Sequence, residues 1–151
     1  YGFSTCPDIS PTTLSQINRM MEDIDESRYA RLQVLFYTVD HKRDTPSQMA
    51  NYVPYFNSKF IGLTHLDDPE NPHLPFEKSL GITAKLIPRP SESDYPNPND
   101  YDVSHGVTLL LVNPEGKLQA IFKPDINSMG FAEFDPVRLR NDYLAIRKYL
   151  G

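Results

Sequence analysis

An α/β sandwich with a mixed central sheet flanked by helices is the fold class that this 151-residue sequence predicts. Three observations carry the prediction. Short β-rich apolar runs alternate with segments whose apolar residues recur every three or four positions, the pattern of strands joined through helices. Two late apolar runs flank Asn113-Pro114-Glu115-Gly116, and a tight hairpin there makes an antiparallel pair where helical crossovers make parallel ones. The length suits one core, so residues 1–151 are expected to form a single domain.

The elements follow in order. Residues YGFST read as the last residues of a strand, and TTLSQINRMMEDI as a helix whose stripe is Leu14, Ile17, Met20, Met21 and Ile24. Next, RLQVLFYTVD is almost continuously apolar, as expected of a strand buried on both faces. A polar loop, DHKRDTP, leads to a short helix with Thr45 or Ser47 near its cap, then to a brief strand, KFIGLTH, and a second short helix, PFEKSLGI. The Pro-rich stretch KLIPRPSESDYPNPNDYD shows no periodicity and reads as an ordered excursion. The hairpin HGVTLLLVNPEGKLQAIFK follows. The closing helix has Asp135 at its N-cap, Pro136 at its first position and a broad apolar face of Val137, Leu139, Tyr143, Leu144, Ile146 and Leu150. Among small domains, the thioredoxin-like fold fits this order.

Composition narrows the function. With 39% hydrophobic and 23% charged residues the chain has the balance of a globular protein. A formal net charge of -5 without a Lys/Arg cluster argues against nucleic acid as a partner. No apolar run approaches the roughly 18 residues that a membrane span needs, so this segment is not expected to contact a membrane itself. The single cysteine, Cys6, excludes an intrachain disulfide and a self-contained dithiol cycle. It lies in Ser4-Thr5-Cys6-Pro7-Asp8 at a strand-to-helix turn, where helix N–H groups favour a thiolate and an exposed, chemically active thiol is expected. Asp8 is a candidate cap whose charge would oppose that effect. Asp40, in the loop after the second strand, is a candidate neighbour of Cys6, whereas Asp44 reads as a turn and capping residue. His41, His65 and His73 read as surface residues.

The runs FSTCPDISPTT, VDHKRDTPSQMANYV, FIGLT and DYDVSHGVTLLLVNPEGKL resemble, in this order and over nearly the whole chain, the Sco/SenC family of thioredoxin-like proteins. The resemblance implies a membrane-tethered extracytoplasmic protein, on the periplasmic side of the inner membrane or in the mitochondrial intermembrane space, with its anchor outside this chain. It implies copper handling, as Cu(I) or Cu(II), during assembly of the copper centre of cytochrome c oxidase. The expected partners are an oxidase subunit or another copper chaperone, and the expected role is that of a metallochaperone or assembly factor more than of an enzyme.

Residue by residue, the resemblance maps the family's first copper-binding cysteine to Cys6, its histidine to His105 and its second cysteine to Ser10. The serine is a departure, read either as a natural loss in a paralogue or as an engineered change. Cu(I) is soft and prefers thiolate and imidazole to a hydroxyl, so copper is expected to bind weakly through Cys6 and His105, with Asp40 as a supporting neighbour. Loss of the second thiol means that any redox turnover at Cys6 needs an external thiol reductant. A second departure is that the chain opens about two residues into the family pattern, which reads as an N-terminal truncation lacking the first central strand. Two other functions compete with copper handling: a single-cysteine redox or peroxidase-like thiol, and a non-catalytic interaction module that has lost the metal site.

Overall fold

The computed structural model describes residues 1–6, 9–24, 32–66, 68, 70 and 74–150. Helix α1 (Ile9–Glu22) is followed by strand β1 (Leu35–Tyr37) and helix α2 (Pro46–Tyr52), which tightens into a single 3-10 turn at Val53–Tyr55. Strand β2 (Ile61–Leu63), helix α3 (Pro75–Ser79) and strands β3 (Ala84–Pro88) and β4 (Tyr101–His105) come next. Strands β5 (Leu109–Val112), β6 (Leu118–Phe122), β7 (Asp125–Ile126) and β8 (Ala132–Glu133) lead to the last helix, α4 (Pro136–Leu150).

The strands pair in both senses. β1 and β2 are parallel, with Leu35 opposite Ile61 and Tyr37 opposite Leu63, the product of a helical crossover. The pairs β3–β4, β5–β6 and β7–β8 are antiparallel. The opening residues run beside β1 as a strand would: Gly2 bridges Thr38 in the parallel sense, donating its N–H to the Tyr37 carbonyl and accepting from the Val39 N–H. This is the mixed α/β, thioredoxin-like fold that the sequence predicts.

The helices form where their caps and stripes direct. Asp135 Oδ1 accepts the Val137 N–H at 2.9 Å, with Pro136 at the first position where no donor is missed. Thr45 accepts the Gln48 N–H at the start of α2. The α1 stripe buries Leu14, Ile17 and Met20 against Phe36, Met49, Val53, Phe60, Phe134 and Leu139, so the core draws on both ends of the chain. From α1, Gln16 also reaches the backbone N–H of Phe134 at 2.8 Å, fixing the approach to α4.

Four details differ from expectation. β1 is short and not buried on both faces: Phe36 and Tyr37 are buried but Leu35 is 54% exposed and lines a cavity. The aperiodic Pro-rich stretch holds β3, whose register ends at Pro88 opposite Tyr101, as a proline at a strand end permits. His105 therefore ends a hairpin of its own and not the β5–β6 hairpin. The β7–β8 pair is only two residues long on each side, too short for a periodic signal. On α4, Leu139 and Tyr143 are buried, while Val137 and Leu150 face outward.

Candidate metal centre

The site grows from the short loop between the Gly2 bridge and α1. Phe3, buried at 7% exposure, is its hub. The Phe3 carbonyl accepts the Cys6 N–H at 3.3 Å, its own N–H donates to Ser10 Oγ at 3.3 Å, and its ring meets the His105 ring edge-on with centroids 5.6 Å apart. One aromatic residue thus links the three positions that the family pattern singles out. Cys6 is buried, contrary to the exposed thiol expected from its place at the turn, because this loop folds down onto the core. Pro7 and Asp8, and with them the expected Asp8 cap, lie outside the described residues, as does His73.

His105 closes β4 and is half-buried between Phe3 and Tyr1, whose ring centroid lies 5.9 Å away. Its Nδ1 is 2.7 Å from the Gly106 carbonyl oxygen. A carbonyl can only accept, so Nδ1 carries the proton and Nε2 keeps its lone pair, the tautomer that a metal-binding imidazole needs. His105 and Ser10 also line one cavity of about 40 Å³, together with Tyr1, Leu35 and Leu109. Ser10 is buried, and its oxygen is engaged by the Phe3 N–H. It acts here as a backbone acceptor in place of a soft ligand.

Two aspartates from the polar loop brace this arrangement from opposite sides. Asp44, fully buried, accepts the backbone N–H of Ser4 at 2.9 Å, the Ser4 hydroxyl, and the Thr38 hydroxyl at 2.6 Å. It anchors the cysteine loop to the end of β1, a larger part than the capping role expected of it. Asp40, 2% exposed, bonds the Tyr101 hydroxyl and pairs with Arg43 Nε at 2.6 Å. Arg43 also stacks 3.9 Å over the Tyr101 ring and donates to the Tyr101 carbonyl at 2.9 Å. Burial, and then the Asp40 hydrogen bond, push the Tyr101 hydroxyl above its ordinary range, so it stays a donor. Asp40 therefore holds the start of β4, the strand whose far end carries His105.

Among the described residues no three His, Cys, Asp or Glu side chains converge as a metal-binding group. His41 and His65, expected at the surface, are half-buried and stacked with centroids 4.0 Å apart. What the site offers is an imidazole beside the buried Phe3 ring and a buried thiol on the loop that the Phe3 carbonyl holds. Phe3, Arg43 and Tyr101 are not singled out by the sequence: an aromatic residue next to a glycine, or one among nine tyrosines, reads as packing until its neighbours are known.

The chain resembles known proteins over most of its length. The SCO1/SenC family model matches residues 1–133. A Stutzerimonas stutzeri protein is 34% identical over 143 residues, which cover 94% of this chain and 65% of that protein. An SCO2-like protein of Rickettsia conorii is 32% identical over 142 residues, covering 94% of this chain and 63% of its own length. The chain thus spans slightly less than two thirds of these relatives. Among solved structures, Arabidopsis thaliana ScoI with copper bound superposes with a TM-score of 0.72 at 26% identity, covering 98% of this chain and 81% of that one. On the match over residues 1–133 and these relatives, the chain belongs to the SCO1/SenC family.

Proposed function

We propose that this chain is a copper-handling assembly factor for the copper centre of cytochrome c oxidase, in which Cys6 and His105 hold the ion as cargo. The observation that carries this reading is the Phe3 hub, which sets the Cys6 loop against an imidazole whose Nε2 lone pair is left available by the Gly106 carbonyl. Thiolate and imidazole are the ligands Cu(I) prefers. Binding releases the thiol proton, so uptake is favoured as pH rises.

With Ser10 committed to the Phe3 N–H, this chain supplies two ligands, and a third comes from solvent or from the partner that receives the ion. Such a site binds weakly and releases readily, by exchange of one ligand at a time. The partner is an oxidase subunit or another copper chaperone. The family resemblance supports an extracytoplasmic location. No helix among the described residues is long and apolar enough to cross a membrane. The core, drawn from Leu14 through Leu139, supports residues 1–151 as one domain.

Competition for Cu(I) against a chromogenic chelator tests the proposal. The wild-type chain is expected to withdraw one equivalent of copper, and Cys6→Ala and His105→Ala variants to withdraw markedly less. Equal retention by the wild type and Cys6→Ala would overturn it.

A further inference from the structure

Gly106 directly follows His105, and its backbone is engaged on both sides. Its N–H donates to the Thr83 carbonyl at 3.4 Å, continuing the β3–β4 ladder past His105, and its carbonyl accepts from His105 Nδ1 at 2.7 Å. Among the described residues the glycines with positive φ are Gly81, Gly116 and Gly130, so no left-handed turn requires glycine at position 106. Space requires it instead. A Cβ at 106 would collide with the Tyr1 hydroxyl, whereas its next neighbours, Tyr1 Cζ at 3.6 Å and Thr83 Oγ1 at 3.7 Å, would be in ordinary van der Waals contact. One oxygen atom is the whole obstacle. That oxygen lies 3.4 Å from Thr108 Oγ1, within hydrogen-bond reach, while the ring that carries it rests edge-on against His105 with centroids 5.9 Å apart. Tyr1 thus lies along residues 105–108, touching the imidazole at one end and Thr108 at the other, over the bare Cα of Gly106.

We propose that Tyr1 and Gly106 are a matched pair of positioning residues for His105, in which the missing side chain at 106 makes room for the tyrosine that walls the imidazole. A methyl group added at 106 forces one of two moves. Either the Tyr1 ring swings aside and His105 loses a wall, or the 106 backbone withdraws and the Nδ1–H loses the carbonyl that fixes its tautomer. Both moves free the ring to turn, and both leave Nε2 less firmly aimed. The role of the pair in metal capture rests on the copper reading of His105. Its role in holding the ring does not.

A double-mutant cycle tests the pair. Gly106→Ala is expected to weaken Cu(I) affinity about tenfold, the size of effect that follows loss of an outer partner of a ligating histidine. Tyr1→Phe, which keeps the ring and deletes only the hydroxyl, is expected to bind as the wild type does. Combined in one chain, the two are expected to restore binding, because the phenyl ring leaves room for the added methyl. Independent structural losses would add instead of cancelling. In parallel, long-range proton–nitrogen correlation spectra of the neutral, metal-free imidazole should show one tautomer, protonated on Nδ1, in the wild type and the double variant, and a mixture in Gly106→Ala. A Gly106→Ala chain that binds copper and keeps its tautomer as the wild type does would overturn the inference, and so would a double variant no better than Gly106→Ala. Should Gly106→Ala fold poorly, the double variant is compared with Tyr1→Phe: equal tautomer distributions support the pair and unequal ones overturn it. If the wild type fails to bind copper, the copper reading falls, and the ring spectra still decide whether Tyr1 and Gly106 hold His105.

Discussion

The ring of Phe3 meets that of His105 edge to face, with planes at 89° and centroids 5.6 Å apart, while the same residue's backbone holds Cys6 and Ser10. Replacing it with alanine removes a buried aromatic and the wall against which the imidazole rests. Phe3→Ala is expected to cost about 3 kcal/mol in urea unfolding. It is also expected to abolish the copper-binding difference between the wild type and His105→Ala. Phe3→Leu, which keeps apolar bulk, should recover most of the stability and less of the copper binding.

Asp44 gathers three donors, two of them from Ser4, at a site closed to water. Asp44→Ala would leave the Ser4 N–H and the Thr38 hydroxyl without their acceptor. A loss of about 3 kcal/mol is expected from two to three charge-assisted bonds. Labelling of Cys6 should quicken, since the loop that carries the buried thiol is released. Equilibrium unfolding and iodoacetamide kinetics check the two effects separately.

Tyr101 ties β4 to the polar loop through Asp40. Tyr101→Phe withdraws a donor from a buried carboxylate that keeps its Arg43 partner, for an expected cost of about 2 kcal/mol. Hydrogen exchange should locate the loosening in β3 and β4, with faster exchange at the amides around His105. Uniform exchange across the chain would contradict the tethering role given to Asp40.

Ser10→Cys puts a soft ligand at the third position of the family pattern. Cu(I) affinity is expected to rise on the order of tenfold or more, since thiolate replaces a hard hydroxyl. Oxidation should also yield a disulfide between Cys6 and the introduced thiol, detectable as a mass loss of two hydrogens. That thiol is a poorer acceptor than Ser10 Oγ for the Phe3 N–H, so the metal-free variant should be less stable than the parent.

The parts of the fold that can be read from the residues alone are those with local causes. The α1 stripe, the Thr45 and Asp135 caps and the hairpin around Asn113–Gly116 each arise within a few residues of chain, and each forms where expected. β3 is not legible in the same way, because its apolar residues lead into prolines and its stability comes from β4, more than ten residues away. Leu35 reads as interior in an apolar run, yet burial on the second face needs a layer packed over it that no local pattern specifies.

Sequence by itself determined which groups can do chemistry here: one thiol, a histidine late in the chain, and a serine where a second soft ligand would stand. Their hard or soft character follows from atom type, which no fold alters. Only the tertiary structure decided that Phe3 joins all three and that Asp44 and Asp40 brace the loop and the strand that carry them. Most of those relations join residues roughly 40 to 100 positions apart, and such contacts are selected by the packing of the whole core.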